Sequence, residues 1–261
     1  MPNNLPKLVV FITGTFVGSN CWDALKFDFE SRGYTCLAPA WPHKNDSPEG
    51  LRNRHPDSAI ASNCLDGLTE YFADIANALP EKPILIGHSL GGLIVQLLLQ
   101  RGLGTAGIAI HSFPSVDILS FHFSFLKTIW PTLGFLSSSR KTYMISFKKW
   151  NRDIANGMDG EERKQLFYKY AIPESKNVFR DLFKSKAKID FKKPHEPLLL
   201  ISGDRDRFVS ASINFNNYKK YKMSHSRTDY WEFKNHNYLV FEYPAWKEMA
   251  DFIRHWLLGL Q

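Results

Sequence analysis

The sequence has few cysteines and lacks a long uninterrupted apolar segment. Its three cysteines, at positions 21, 36 and 64, form an odd set without a CxxC pair. This argues against a disulfide framework or a zinc site and favours a reducing compartment, so we expect a cytoplasmic protein. The longest uncharged stretch, residues 83–100, carries three glycines and a serine near its centre, which favours a turn over a membrane span. The N-terminal apolar run has no small-residue cleavage site, so no signal peptide is expected.

An excess of acidic residues is also absent. The formal net charge is +7, with 33 Lys and Arg against 26 Asp and Glu, and five of the lysines lie between positions 184 and 193. We interpret these clusters as solvated surface, with attraction to anionic lipid or to an acidic substrate as the alternative, and contact with a membrane surface is not expected. No nucleic-acid recognition module is visible, so nucleic acid is not an expected partner. The sequence does not indicate an oligomeric state.

Short apolar runs alternate along the chain with stretches of helical periodicity. Strands are predicted at residues 8–13, 34–38, 83–87, 106–111, 197–202 and 228–233, and helices at 23–31, 66–79, 90–100, 211–221 and 246–257. Apolar strands that alternate with helices are typical of a mostly parallel central sheet with helices on both faces. The predicted fold class is therefore α/β.

The alternation stops between residues 113 and 193, where aromatic and basic residues are frequent. We predict a core made of residues 1–112 and 194–261 and a helical cap made of residues 113–193. Ligands of open α/β sheets bind at the carboxyl ends of the strands, so the cap is expected to cover that edge. Two aromatic residues of the cap, Phe123 and Trp130, are expected to line the substrate pocket.

The segment Gly87-His88-Ser89-Leu90-Gly91 matches the G-x-S-x-G pattern. An apolar strand sequence precedes it and an apolar helix sequence follows, which is the context of a nucleophile elbow. The sharp turn lifts the Ser89 hydroxyl above the sheet, and the free N–H groups of the helix N-terminus favour developing negative charge. We predict Ser89 as a nucleophile.

A serine nucleophile needs a base and a group that orients the base. His236 follows the last predicted strand directly, where catalytic loops gather, and is the predicted base. Two aspartates, Asp204 and Asp206, compete for the acid on the loop after the strand at 197–202, and Asp117 is a poorer alternative. His111 ends another strand and either lines the pocket or is a packed histidine.

Four segments resemble the α/β-hydrolase superfamily in order and spacing: VVFITGTF, KPILIGHSLGGLIVQLLL, PLLLISGDRDRFVS and WEFKNHNYLVFEYPAWKEMADFIRHWL. Others, including NGMDGEERKQLFYKYAIPES, resemble a group of bacterial α/β hydrolases. The resemblance implies a triad of Ser89, Asp206 and His236, because the acid is the fourth residue of the family's G-x-x-D loop. It also implies an oxyanion hole formed by the backbone N–H groups of Leu90 and Thr15.

The sequence departs from the family pattern at two positions. Thr13 stands where the oxyanion loop usually has His, and Asn235 stands where a Gly usually precedes the catalytic His. The first departure affects the shape of the oxyanion loop, in which the N–H of Phe16 is an alternative second donor. Phe16 and His111 are also expected to line the pocket.

The predicted function is a carboxylesterase-like serine hydrolase that cleaves a small-molecule ester or thioester through an acyl-enzyme. It would need neither a metal nor another cofactor. One alternative is different chemistry on the same fold, such as that of hydroxynitrile lyases, perhydrolases or C–C bond hydrolases. Another is a non-catalytic ligand receptor. The sequence does not indicate the substrate's identity or chain length.

Overall fold

A computed structural model describes residues 5–119, 122–134, 137–221, 225–242 and 244–260. Within these ranges, six strands form one parallel sheet in the order β2-β1-β3-β4-β5-β6. The strands are β1 (Leu8–Ile12), β2 (Thr35–Leu37), β3 (Ile84–His88), β4 (Ala106–Ile110), β5 (Leu198–Gly203) and β6 (Thr228–Phe233). The prediction of a parallel α/β sheet is confirmed.

The longer helices lie between the strands and after the last one. They are α1 (Asp23–Glu30), α2 (Leu65–Ala78), α3 (Leu90–Leu99), α4 (Phe123–Leu133), α5 (Gly160–Tyr170), α6 (Ala211–Tyr221) and α7 (Ala245–Leu258). Each residue of α3 is buried, because this helix packs along β3 and β4 near the middle of the sheet. No helix in the described ranges has the length and apolar character needed to cross a membrane.

Shorter helical segments complete the described chain. They are Ser19–Trp22, Pro48–Asn53, Ser58–Ala61, Val116–Leu119, Phe147–Lys149, Trp150–Ile154, Lys176–Arg180, Asp181–Phe183 and Ser185–Ala187. The helix Pro48–Asn53 was not anticipated, although its start carries a recognisable signal. Ser47 accepts a hydrogen bond from the Gly50 N–H, and proline occupies the first helical position.

The segment between β4 and β5 lies against loops at the carboxyl ends of the strands. Ala171 forms an antiparallel bridge with Val17, which follows β1. The ring of Phe125 in α4 lies 6.4 Å from that of Phe208, which follows β5. These contacts place α4 and the segment after α5 against the loops that follow β1 and β5, where the predicted cap would lie, and the domain boundaries themselves remain a prediction.

Candidate active site

Ser89 occupies a strained turn between β3 and α3. Its φ is 59° and its ψ is −119°, a conformation that side-chain-bearing residues rarely adopt. Such strain persists where the surrounding structure fixes it, and it is concentrated at active sites. The side chain is fully buried, and its hydroxyl has no hydrogen-bond partner among the described residues.

Two glycines make this turn sterically possible. A Cβ atom at Gly87 would lie 2.2 Å from the carbonyl oxygen of Gly91, and one at Gly91 would lie 2.0 Å from that of Ile12. The G-x-S-x-G spacing thus lets β3, α3 and the end of β1 approach closely enough to hold the serine.

The loop after β1 passes directly beside the nucleophile. A Cβ atom at Gly14 would lie 2.6 Å from the Cβ of Ser89. The Phe16 N–H donates to Glu174 Oε2 at 3.2 Å, so that donor is already engaged. This favours Thr15 as the second oxyanion donor. The first, the Leu90 N–H, belongs to the opening residue of α3 and therefore has no acceptor within the helix.

Glu174 itself belongs to a buried ion pair. Lys44 Nζ lies 2.7 Å from both carboxylate oxygens, and both side chains are almost completely buried. The Trp41 ring lies 4.0 Å from the same ammonium. Burial lowers the pKa of Lys44, and the charge and hydrogen bond of Glu174 oppose that shift. The sequence analysis missed this pair, because 130 positions separate its members.

Asp206 is placed to orient an imidazole. Its Oδ1 accepts hydrogen bonds from the N–H groups of Phe208 and Val209, at 2.7 and 2.8 Å. Its Oδ2 lies 2.5 Å from Nδ1 of His111, and both side chains are fully buried. Asp204 has another role, because its carboxylate accepts the N–H of Asn235 at 2.7 Å. The burial and contacts of the two aspartates therefore favour Asp206 as the acid.

The structure does not bring His236 to Asp206 or Ser89. Its Nδ1 lies 2.8 Å from the Lys234 carbonyl oxygen, and its Nε2 lies 3.5 Å from Glu248 Oε2. The backbone sets this direction, because Asn235 has a φ of 61° and the His236 carbonyl accepts the Arg205 N–H at 2.9 Å. The ring consequently lines a surface cleft formed by the loop after β6, the start of α7, Arg205 and the segment 156–162.

Tyr238 enters the centre of the site from the same loop. Its ring lies 4.4 Å from that of His88 and 5.0 Å from that of Phe208. Burial raises the pKa of Tyr238, and the facing hydroxyls of Ser89 and Thr15 lower it in part, although none of the three meets hydrogen-bond geometry. The analysis of the sequence missed Tyr238, because the backbone of the loop decides which of its side chains points toward Ser89.

Aromatic side chains cover this polar centre. Phe16 stacks on Phe179 with ring centroids 5.4 Å apart, and Phe113 lies 5.8 Å from Phe208. The expectation that Phe16 and His111 lie at the site is consistent with these positions. All four phenylalanines are fully buried, so the nucleophile lies beneath an apolar roof.

The two cap residues expected to line the pocket lie elsewhere. Phe123 is 79% exposed and Trp130 is 63% exposed, on the outer face of α4. The inward residues of this helix are Phe125 and Ile129, both buried. The assignment of Phe123 and Trp130 to the pocket is thus corrected. Both faces of α4 carry aromatic residues, and the face that packs inward is the one with Phe125.

A sequence model described as the alpha/beta hydrolase family matches residues 9–250. The chain belongs to the alpha/beta hydrolase family. The predictions of this superfamily, its fold and an enzyme of the α/β-hydrolase type are confirmed. Comparison with curated protein sequences finds no match.

Solved structures of other alpha/beta hydrolase-fold proteins resemble the chain over nearly its whole length. A monoacylglycerol lipase from Paleococcus ferrophilus is 19% identical, with a TM-score of 0.69 and coverage of 99% of this chain and 97% of that one. Tomato methylketone synthase I, in complex with 2-tridecanone, is 12% identical, with a TM-score of 0.69 and coverage of 99% and 100%. A pyrethroid hydrolase from Sphingobium faniae is 17% identical, with a TM-score of 0.63 and coverage of 96% of each chain. At these identities the likeness concerns the fold.

Proposed function

We propose that the protein is a serine hydrolase that cleaves carboxylic esters, with Ser89 as its nucleophile. The observation that carries this proposal is the strained conformation of Ser89, with φ at 59°, at the junction of β3 and α3. A serine without a chemical role gains nothing from a backbone conformation that costs on the order of 1–3 kcal/mol. The three free thiols suit the reducing cytoplasm that we propose as its location.

The reaction would proceed through an acyl-enzyme. Ser89 Oγ attacks the ester carbonyl while an imidazole takes its proton, and the same imidazole returns the proton to the departing alcohol. The N–H groups of Leu90 and Thr15 would stabilise the oxyanion. Water then attacks the acyl-enzyme and releases the carboxylic acid and free Ser89.

The imidazole predicted from the sequence is His236. To act on Ser89 with Asp206 as its acid, the His236 ring must leave both the Lys234 carbonyl and Glu248. Asp206 is the proposed orienting acid. Its Oδ2 is the oxygen to which the Nδ1–H of a histidine would donate, because Oδ1 already accepts two backbone N–H groups.

The roof over Ser89 suggests the class of substrate. Phe16, Phe113, Phe179 and Phe208 present only apolar surface, which suits an acyl chain better than a polar one. Two proteins of similar fold are, by their names, a monoacylglycerol lipase and an enzyme crystallised with 2-tridecanone. We therefore propose esters with an apolar acyl chain as substrates, while thioesters of the same acids would pass through an equivalent oxyanion.

A fluorophosphonate probe and a series of p-nitrophenyl esters of increasing acyl length test this function. The probe should label the wild type and not Ser89→Ala, and the hydrolysis rate should fall by about 10³-fold or more. Ser202→Ala is the matched control, because Ser202 is equally buried but lies within β5. Equal labelling of wild type and Ser89→Ala would refute the proposal. Cyanohydrin cleavage, measured on the same samples, tests the lyase alternative.

A further inference from the structure

The ends of β3 and β4 place His111 beside Ser89. The sheet register pairs His88 with Ile110, so the next pair along the two strands is Ser89 and His111. The backbone confirms this proximity, because the Ser89 N–H donates to the Ile110 carbonyl at 2.9 Å. The Ser89 carbonyl in turn accepts the Phe113 N–H at 3.0 Å. Main-chain bonds from both sides of His111 therefore fix it next to the nucleophile.

His111 shares the unusual backbone conformation of its neighbour. Its φ is 48°, so the two residues that directly follow these adjacent strands both have a positive φ. A positive φ is uncommon for any residue other than glycine, and histidine adopts it more often than most others. Strain of this kind is found where the direction of a side chain matters for function.

The hydrogen bond to Asp206 prepares the ring of His111 for base catalysis. An ionised carboxylate can accept hydrogen bonds but cannot donate them. In the 2.5 Å contact with Asp206, the proton therefore belongs to Nδ1 of His111. The opposite nitrogen, Nε2, then has a free lone pair. Within the described residues, that atom and the Ser89 Oγ are both buried without a hydrogen-bond partner. A buried acceptor and a buried donor on neighbouring strand ends have the properties of a base and its nucleophile.

The two other histidines of this region lack such an acid. His236 Nδ1 is engaged by the Lys234 carbonyl, and its Nε2 lies toward Glu248 in a surface cleft. His88 Nε2 lies 3.1 Å from the Tyr238 carbonyl oxygen. Burial and the neighbouring His111 hold the pKa of His88 well below its ordinary value. Of the three, His111 alone is bonded to a carboxylate buried in the site.

We propose that His111, oriented by Asp206, is the general base that activates Ser89; this inference rests on the proposed hydrolase function. Nε2 of His111 takes the proton of the Ser89 hydroxyl as Oγ forms its bond to the ester carbonyl carbon. The carbon–oxygen bond to the alcohol then breaks, and the departing alkoxide takes the proton from Nε2. In deacylation, Nε2 takes a proton from water and returns it to Ser89 Oγ.

Two substitutions by asparagine separate the roles of His111 and His236. In His111→Asn the amide nitrogen takes the place of Nδ1 and keeps the bond to Asp206, while the basic Nε2 is lost. Asparagine also tolerates a positive φ, so the fold should be retained. His236→Asn is the matched control, because its amide can still donate to the Lys234 carbonyl. Ester hydrolysis, fluorophosphonate labelling and melting temperature are measured for both variants.

His111→Asn should lower kcat/KM and the labelling rate by about 10²- to 10⁴-fold with an unchanged melting temperature. The kcat/KM of His236→Asn should stay within about tenfold of wild type. That loss is smaller than the roughly 10²-fold that is the least expected from removing a general base. Loss of activity in His236→Asn with retention in His111→Asn would overturn the proposal, and so would retention in both. A wild type that is not labelled at Ser89 would refute the hydrolase function itself and the base with it.

A second measurement does not depend on turnover. An imidazole N–H bonded to a buried carboxylate gives a proton NMR signal at unusually low field. That signal should be present in wild type, Ser89→Ala and His236→Asn and absent from His111→Asn. Its disappearance in His236→Asn alone would show that His236 holds the bond to Asp206, which would overturn the proposal even if no substrate had been found.

Discussion

The Lys44–Glu174 pair offers a way to separate stability from positioning of the oxyanion loop. Each Glu174 oxygen accepts a backbone N–H as well as the lysine, from Phe16 at 3.2 Å and from Ser175 at 2.8 Å. A glutamine at position 174 has one carbonyl oxygen, so one of these two N–H groups would lose its acceptor. Lys44→Met removes the cation and leaves both N–H acceptors in place.

Both substitutions should destabilise the fold by similar amounts. Removing one member of a buried ion pair costs about 3–5 kcal/mol, because the other charge is left uncompensated. At roughly 2–4 °C per kcal/mol for a domain of this size, the melting temperature should fall by about 6–20 °C in each variant. The double variant should lose less than the sum of the two, because no buried charge remains.

Activity should distinguish the two variants. Glu174→Gln should lower kcat on a short p-nitrophenyl ester by about tenfold, less than the 10²- to 10³-fold typical of losing an oxyanion donor outright. Lys44→Met should keep kcat within about threefold of wild type, because it leaves the hydrogen bond from the Phe16 N–H to the Glu174 carboxylate in place. Equal losses of kcat in the two variants, measured well below their melting temperatures, would refute this positioning role.

The pH dependence of stability adds a second check. Burial lowers the pKa of Lys44 in the folded protein, so the unfolded chain binds more protons between the folded and unfolded pKa values. The free energy of unfolding therefore rises with pH through that window. Loss of Glu174 extends the window to lower pH, because the carboxylate no longer opposes the fall in the pKa of Lys44. The stability deficit of Glu174→Gln should shrink as the pH rises from neutral toward the ordinary pKa of lysine, whereas that of Lys44→Met should not shrink for this reason. A constant Glu174→Gln deficit would contradict the assignment.

Three further predictions concern packing and thiols. Gly203→Ala should cost about 1–3 kcal/mol in urea unfolding, because its Cβ would lie 2.3 Å from the His236 carbonyl oxygen, and a change below about 0.5 kcal/mol would contradict the described loop contact. Phe125→Ala should cost about 3–5 kcal/mol and alter acyl-length preference, whereas Phe123→Ala should change stability by less than about 0.5 kcal/mol; the reverse order would show that α4 presents its other face. A thiol reagent at pH 8 should modify Cys64 alone in the folded protein, because burial raises the pKa of both other cysteines, and modification of a second thiol without unfolding would contradict their burial.

The sheet could be predicted from the sequence because its four central strands are short, apolar and buried on both faces. The predicted runs at 8–13 and 106–111 differ from β1 and β4 by a single residue each. The nucleophile was predictable for a similar reason, since the glycine spacing around Ser89 is a local steric requirement. Features set by neighbouring residues in the chain were therefore visible in the sequence.

The contacts of the acid were not predictable in the same way. His236 was expected to meet Asp206, yet the left-handed turn at Asn235 directs its ring toward α7. His111 meets Asp206 instead, across 95 positions of sequence. Which imidazole reaches a carboxylate depends on two loop backbones at once, and no local pattern encodes that.

The ties between the oxyanion loop and the segment after α5 also bear on how substrate reaches Ser89. Ile172 donates its N–H to the Phe16 carbonyl at 3.0 Å, and the Glu174 carboxylate accepts the Phe16 N–H, so both polar groups of the Phe16 main chain anchor this side of the cap to the core. The opposite side meets the core through the ring of Phe125, 6.4 Å from that of Phe208, and through one hydrogen bond between His122 Nε2 and Asn216 Nδ2, at 3.0 Å. Ring contacts can slide without breaking directional bonds. We therefore expect the anchored side to be the hinge and an acyl chain to enter by displacing α4.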